Sequence, residues 1–79
     1  TPKPSSAASD VYKRQLLHFG QRVRKIRKSA GLSQEELSYK SNVNRTYIGM
    51  IERGEKNVTL LTMVKISQAL EINITDLFE

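Results

Sequence analysis

Three observations predict an all-α domain. From Leu16 onward, apolar residues recur at steps of three and four along the chain, which is the period of an amphipathic α-helix. Ser, Thr and Asn stand where these periodic segments begin, as helix-capping residues do. No segment alternates apolar and polar residues, and no hairpin dipeptide occurs. The 79 residues are enough for one such domain and no more.

Residues 1–15, TPKPSSAASDVYKRQ, differ in composition from the rest of the chain. They begin with a Pro/Ser/Ala-rich stretch that has no large apolar residue before Val11. Such a stretch would bury too little apolar surface to offset the conformational entropy lost on ordering. We therefore expect residues 1–9 to be disordered and the whole segment 1–15 to be disordered or non-native, with 11–15 able to extend the first helix. The folded domain is expected over residues 16–79.

The first two helices are predicted from an apolar stripe and a capping pattern. Gly31 is expected to end the first helix in the left-handed conformation. Ser33 and Glu36 have the spacing of a capping box, which begins a second helix that should end near Lys40 or Ser41. The inner face of the first helix is expected to carry Leu16, Phe19, Val23, Ile26 and Ala30.

Two further helices and a final turn are predicted from the same kinds of signal. Asn44 can cap a third helix that runs from Arg45 to Arg53, after which Gly54 ends it. Thr59 can cap a fourth helix, and Thr75 starts a last short turn that includes Leu77 and Phe78. The inner face of the fourth helix is expected to carry Leu60, Met63, Val64, Ser67 and Leu70.

The charge of the chain is unevenly distributed. Residues 22–56 hold nine Lys or Arg and four Glu, whereas residues 60–79 hold one Lys and three acidic residues. A basic front with a mildly acidic back is what a surface that binds a polyanion needs, although many small domains are basic without binding nucleic acid. The distribution is therefore compatible with DNA or RNA binding and does not establish it.

Composition argues against several other classes of protein. There is no cysteine, which excludes a disulfide scaffold, a thiolate metal site and a cysteine nucleophile. His18 is the only histidine, and no carboxylate stands at a spacing that would make it a general base. Phosphate-binding glycine loops and metal-ligand spacings are missing too, so no enzyme, cofactor, metal or small-molecule ligand is expected. Without a long apolar run, the expectation is a soluble cytoplasmic protein with no membrane partner.

The segment from Gln34 to Arg53 has the spacing of a helix-turn-helix. Two short helices that cross at a steep angle need a small residue at the crossing, which Ser38 supplies. The tight turn between them needs a residue that tolerates positive φ, which Asn42 does. Four apolar residues stand where they can hold the second of these helices against the first: Leu37, Val43, Ile48 and Ile51.

The outer face of the third helix is small, polar and basic, as expected for a helix that enters a major groove. Arg45 can bind a guanine, and Thr46 can contact a base or a thymine methyl. Gly49 has no side chain, which would let the helix approach the DNA closely. The candidates for base contact are Arg45, Thr46, Gly49 and Met50. The candidates for phosphate contact are Gln34, Asn44, Arg53 and Tyr47. The alternatives are an ordinary solvated face and, for Gln34 and Asn44, simple helix-start residues.

The stretches IRKSAGLSQEELS, NRTYIGMIERG and LLTMVKISQAL resemble the Cro/repressor-type (Xre) helix-turn-helix family. The resemblance implies a compact five-helix lambda-repressor-like domain that binds double-stranded DNA, in a bacterial or phage-encoded protein. The run YKSNVNRTYIGMIERGEKNVTL is most similar to controller proteins of restriction–modification systems. Arg27 and Glu52 match a pair that commonly forms a partly buried ion pair in the family, so Arg27 is expected to be structural.

The resemblance also bears on assembly and biological role. Leu61 and Ile74 stand where relatives usually carry polar residues, and with Leu77 and Phe78 they suggest a homodimer contact, unless they are isolated surface aliphatics. A dimer would bind a pseudo-palindromic operator, as a transcriptional regulator does. The alternative role is an antitoxin-type module that neutralises a toxin partner. A neighbouring methyltransferase–endonuclease pair would favour the controller, and a toxin gene the antitoxin.

Overall fold

The computed structural model describes residues 6–79, and the side chains from Asp10 onward, as an all-helical domain. Its elements are α1 (Ser6–Ser29), α2 (Gln34–Ser41), α3 (Arg45–Glu52), α4 (Leu60–Leu70) and a terminal 3₁₀ helix (Ile74–Phe78). No strand occurs within this described part, so the predicted all-α class is confirmed. The fifth predicted helix is a 3₁₀ helix, in which the Asp76 amide donates to the Asn73 carbonyl three residues back.

The helix α1 begins ten residues earlier than the apolar stripe alone indicates. It starts at Ser6, so residues 11–15 extend it as the sequence allows, and residues 6–9, for which disorder was expected, are helical as well. Ala7 and Ala8 belong to the residue type with the highest helix propensity, which favours continuing the helix backwards. The expectation for residues 1–5 lies outside the described residues.

The helix boundaries follow the predicted capping residues. The Glu36 amide donates to the Ser33 hydroxyl at 3.0 Å, and the Ser33 amide donates to the Glu36 carboxylate at 3.0 Å. The hydrogen bond from the Ser33 backbone amide, followed by that from the Ser33 side chain, favours the charged carboxylate and holds the pKa of the Glu36 carboxyl below its ordinary value. Thr59 caps α4 through its hydroxyl, which accepts from the Thr62 amide at 3.2 Å. Gly54 follows α3 with φ +72°, a conformation that favours glycine.

The core lies where α1 packs against α3 and the 3₁₀ helix, and where α4 packs against α2 and the same 3₁₀ helix. Each helix contributes its apolar stripe, and few polar groups are enclosed. The buried apolar residues are Phe19, Val23, Leu37, Val43, Ile48, Ile51, Ile66, Leu70 and Leu77. Because α3 is held from two sides, by α1 and by α2, its position relative to the rest of the domain is fixed by the core.

Two of the predicted core positions are wrong. Ala30 is exposed, because the apolar stripe of α1 ends one turn earlier at Ile26. Leu60 is also exposed, because the stripe of α4 begins one turn later, at Met63 and the completely buried Ile66. In both cases the residue has the correct helical spacing. The turn that carries it lies beyond the neighbouring helices, so they do not cover it.

Candidate nucleic-acid interface

The turn between α2 and α3 has the geometry that the sequence predicts for a helix-turn-helix. Asn42 follows α2 in the left-handed conformation, with φ 58° and ψ 33°. The buried Ser41 hydroxyl donates to the Leu37 carbonyl at 2.6 Å and accepts from the Val43 amide at 3.3 Å. This hydroxyl therefore links the last turn of α2 to the start of the turn, a role that nothing in the sequence pattern singled out.

Helix α3 presents one face to the core and another to solvent. Ile48 and Ile51 are buried on the inner side, whereas Arg45 and Thr46 are exposed and Met50 is half-buried. The Asn44 side-chain oxygen accepts from the Thr46 amide at 2.7 Å and begins the helix. The first turn of α3 consequently offers basic and polar side chains to whatever lies against it.

Several predicted contact residues from both helices surround one shallow recess. Its volume is about 240 Å³, and it is lined by Gln34, Arg45, Thr46, Gly49 and Arg53. The start of α2 and the outer face of α3 thus form a single polar surface, here called the recess surface. Three predicted contact residues from the turn and α3 do not line this recess: Asn44, Tyr47 and Met50.

Gly49 is placed differently from the prediction that it allows DNA to approach closely. It is buried in the free protein, and a Cβ at this position would lie 3.1 Å from an Arg53 guanidinium nitrogen and 3.7 Å from the Gln34 side-chain oxygen. The absent side chain therefore makes room for Arg53 and Gln34. A base contact at Gly49 requires the Arg53 side chain to move.

The recess surface is supported by a buried ion pair. Arg27 of α1 donates from Nε to Glu52 Oε2 at 2.7 Å and from Nη2 to Glu52 Oε1 at 3.0 Å. Arg27 also donates from Nη1 to the Leu32 carbonyl at 2.8 Å, and Gln34 Nε2 donates to Glu52 Oε1 at 3.1 Å. Charged hydrogen bonds in this number compensate for burying the two charges. The pair therefore ties α1, α2 and α3 together and removes Arg27 from the candidate DNA contacts.

The other candidate phosphate contacts already have partners within the domain. Tyr47 is half-buried, and its hydroxyl donates to the Asn57 carbonyl at 3.4 Å, while the Lys56 ammonium lies 6.0 Å from its ring. Arg53 forms an exposed ion pair with Glu55 at 3.2 Å. Exposed pairs of this kind are weak, so Arg53 can exchange Glu55 for another anion at little cost.

Gly20 is a residue whose role the sequence pattern did not reveal. A Cβ there would overlap the Ile51 carbonyl oxygen and would lie 2.9 Å from that of Glu52, both in the backbone of α3. Glycine at this position allows α1 to touch the C-terminal turn of α3. A glycine in the middle of an otherwise helical stripe is the signal that could have indicated such a close crossing.

Arg22 belongs to the basic segment 22–56, but its side chain is bonded within the domain. It is half-buried, donates from Nε to the Asp76 carbonyl at 2.7 Å and lies 3.6 Å from the Glu79 carboxylate. It therefore fastens the 3₁₀ helix to α1 and cannot be counted with the free basic surface.

The four residues expected at a dimer contact fall into three groups. Leu61 is 65% exposed, Phe78 is 56% exposed and Ile74 is half-buried against the core. Phe78 also packs on Phe19, with 5.4 Å between the ring centroids. Leu77 is completely buried within the chain, so its assignment to a dimer contact is wrong: it fills the core between α1, α4 and its own helix.

Residues 6–79 contain neither a membrane-spanning helix nor a metal-binding cluster. No helix within residues 6–79 is long and apolar enough to cross a membrane. In the same part of the chain, no group of His, Asp or Glu side chains is arranged to hold a metal ion.

Comparison with known proteins identifies the family. The helix-turn-helix family HTH_3 matches residues 23–77. Control protein C.BamHI of Bacillus amyloliquefaciens is 48% identical over 64 residues, which are 80% of this chain and 79% of that protein. Control protein C.MunI of a Mycoplasma species is 40% identical over 63 residues, covering 78% of this chain and 85% of that protein.

A solved structure agrees with the sequence relatives. The restriction-modification controller protein C.AhdI from Aeromonas hydrophila is 46% identical and superposes with a TM-score of 0.79, covering 80% of this chain and 96% of that one. The segment that matches the family, residues 23–77, contains α2, the turn, α3 and the recess surface. The chain therefore belongs to the helix-turn-helix family HTH_3 and is a DNA-binding transcriptional regulator, not an enzyme.

Proposed function

We propose that the protein is the controller of a restriction–modification system, and that it binds a pseudo-palindromic operator as a homodimer. The observation that carries the proposal is the recess surface, where the start of α2 and the outer face of α3 join into one exposed polar and basic surface. The controller role is supported by relatives that are named control proteins and are up to 48% identical. As a regulator of this kind, it acts on DNA in the cytoplasm.

Sequence reading is assigned to the first half of α3. In the major groove, Arg45 would donate two hydrogen bonds to the O6 and N7 atoms of a guanine, which discriminates by about 1–3 kcal/mol against another base. Thr46, one residue later, reaches a base edge or a thymine methyl, and the half-buried Met50 offers an apolar contact to a methyl group. Gly49 joins these contacts only if Arg53 swings away from it.

Positioning on the DNA backbone is assigned to four residues, of which Gln34 and Arg53 line the recess surface. Gln34 and Asn44 begin α2 and α3, where unpaired backbone amides and the helix dipole favour a phosphate. Arg53 adds a positive charge, and Tyr47 adds a hydroxyl whose present bond to Asn57 is long. Such contacts set the register of the protein on the duplex and are nearly independent of sequence.

The homodimer is assigned to the face formed by α4 and the 3₁₀ helix. On these two elements Leu61 and Phe78 are exposed apolar residues, and Ile74 is partly exposed. Self-complementary apolar contacts are typical of a two-fold dimer. Two copies would present their α3 helices to successive major grooves, about 34 Å apart along the DNA.

The proposal is tested by selecting bound fragments from a random duplex pool. We expect the wild type to enrich a site with two inverted half-sites separated by about one helical turn. Arg45→Ala should lose discrimination at one position of each half-site, whereas Gln34→Ala should weaken all sites more evenly. Arg24→Ala removes the same charge from an exposed position on α1 and is the matched control. Enrichment of a single, non-repeated half-site would contradict the dimer, and no enrichment would contradict specific binding.

A further inference from the structure

Gln34 lies between the buried ion pair and the recess surface. Its Nε2 donates to Glu52 Oε1 at 3.1 Å, and the same carboxylate accepts two hydrogen bonds from Arg27. An ionised carboxylate paired with a guanidinium has no hydrogen to donate, so only the nitrogen of the Gln34 amide can face it. The Glu52 carboxylate therefore fixes which end of the Gln34 amide faces it.

The oxygen of the same amide is directed to the reading helix. Gln34 Oε1 would lie 3.7 Å from a Cβ on Gly49, and Gln34 lines the recess with Arg45 and Thr46. A carboxamide nitrogen carries two hydrogens, of which Glu52 accepts one. Gln34 thus offers DNA one acceptor oxygen and one remaining N–H, both in directions that Glu52 sets.

We propose that Glu52 is a positioning residue for DNA binding, in addition to being a member of the ion pair. It holds the Gln34 amide in the orientation that contacts DNA, so the contribution of Gln34 to affinity depends on Glu52. The inference rests on the proposed function, because it assigns the origin of one contact in the proposed complex. Arg27 acts one step further back, since its two bonds keep the Glu52 carboxylate in place.

Two variants separate this role from a purely structural one. Glu52→Gln keeps the size of the side chain but leaves one oxygen, for which the Arg27 guanidinium and the Gln34 amide then compete, so the Gln34 amide loses its fixed orientation. Arg27→Lys weakens the ion pair and removes the bond to the Leu32 carbonyl, yet it leaves Glu52 Oε1 for Gln34. Both variants disturb the same buried pair, but only the first reduces the acceptors available to Gln34.

The test measures the Kd for the selected operator with and without Gln34→Ala in three backgrounds: wild type, Arg27→Lys and Glu52→Gln. We expect Gln34→Ala to weaken binding about three- to ten-fold in the wild type and in Arg27→Lys, as the loss of one hydrogen bond does. In the Glu52→Gln background the loss should fall below about two-fold, because coupled residues are not additive. Equal losses in all three backgrounds would overturn the proposal.

A second measurement on the free protein does not depend on DNA or on the stability of Glu52→Gln. The solvent-exchange rates of the Gln34 side-chain amide protons are measured by NMR in the wild type and in Arg27→Lys, with the exposed Gln68 as the internal control. We expect slower exchange at Gln34 than at Gln68 in both proteins. Equal exchange rates at Gln34 and Gln68 would overturn the proposal that Glu52 orients the Gln34 amide. Absence of operator binding by the wild type would instead contradict the proposed function and leave these rates unchanged.

Discussion

Arg27 and Glu52 are buried charges whose hydrogen bonds are made almost wholly with each other and with neighbouring polar groups. Their side chains are 8% and 3% exposed, and no buried side-chain polar atom within the described residues is left without a partner. Transfer of two charges out of water costs nearly as much as their attraction returns. The pair therefore contributes more to the geometry of α1, α2 and α3 than to net stability.

The first prediction concerns the removal of one member of this pair. Glu52→Ala should lower the free energy of unfolding by about 3–5 kcal/mol, because it leaves the Arg27 guanidinium buried without its carboxylate. The double variant Arg27→Met with Glu52→Leu should lose less, since no unpaired charge remains. Urea unfolding of the three proteins measures both values. A double variant that is less stable than Glu52→Ala would show that the attraction itself, and not the unpaired charge, dominates.

A second prediction contrasts Gly20, where α1 crosses α3, with Gly49, which belongs to α3 itself. Gly20→Ala should destabilise the domain by about 1–3 kcal/mol or more, because its Cβ meets the rigid backbone of α3. Gly49→Ala meets only the movable end of Arg53, and the better helix propensity of alanine offsets that contact by up to about 1 kcal/mol. Thermal unfolding compares them. Equal destabilisation by the two substitutions would contradict the assignment of Gly20 to a close helix crossing.

Sequence reasoning succeeded with residues that act locally and failed with those that act at a distance. Asn42 and Asn44 were assigned correctly, because a left-handed turn residue and a helix cap are encoded within a few positions. The bonds of Gln34 to Glu52 and of Arg22 to Asp76 join residues far apart in the chain, so no spacing rule indicates them. The Arg27–Glu52 pair was expected only through the family resemblance.

At the scale of elements, α2 depends on its capping box. This helix has eight residues, which is too short to be stable in isolation, so its first turn has to be fixed by Ser33 and Glu36. The same turn carries Gln34 and its amides at the recess surface. Loss of the box should therefore affect both the stability of α2 and the register of the proposed phosphate contacts.

The third prediction follows from the lowered pKa of Glu36. A carboxyl group whose pKa is lowered by folding stabilises the folded protein at pH values above the ordinary pKa of 4.5. That stabilisation is lost as the pH falls through the pKa of the folded state. Between pH 7 and pH 3, the wild type should thus lose more stability than Glu36→Gln, which cannot titrate. Glu35→Gln removes a neighbouring carboxylate and serves as the control. An equal loss in wild type and Glu36→Gln would contradict the prediction.

The ends of the elements show where local pattern stops being informative. The caps at Ser33 and Thr59 were predicted correctly, whereas the start of α1 and the exposure of Leu60 were not. Helix periodicity specifies which residues share a stripe, but the neighbouring helices decide how much of the stripe is covered. The same reason explains Leu77, which the sequence suggested for a dimer contact and which the core encloses.

At the scale of the whole molecule, assembly and charge act together. The basic excess lies in residues 22–56, which contain α2 and α3, whereas the proposed dimer face belongs to the mildly acidic segment 60–79. Two copies joined through that segment would keep the two basic surfaces apart and present both recess surfaces to one polyanion. Dimerisation would also stabilise a chain of 79 residues, whose core is small.

The fourth prediction tests the dimer face. Leu61→Glu should shift the protein towards monomer in sedimentation equilibrium, because it places a charge in an apolar contact, and it should weaken operator binding. The thermal stability of the monomer should change little, since Leu61 is 65% exposed in the single chain. Leu60→Glu, at a neighbouring residue that is 69% exposed on another side of α4, is the matched control and should remain dimeric. A dimer that survives Leu61→Glu unchanged would contradict this face.

A competition titration tests whether the recess surface reads the sequence of a DNA duplex. The wild type is bound to the enriched operator and challenged at physiological salt with that operator or with a scrambled duplex of the same length and composition. Sequence-specific regulators prefer their sites by about a thousand-fold or more, and we expect a ratio of that order, which Arg45→Ala should reduce and Arg24→Ala should not. Equal affinity of the wild type for the two duplexes would contradict sequence-specific binding.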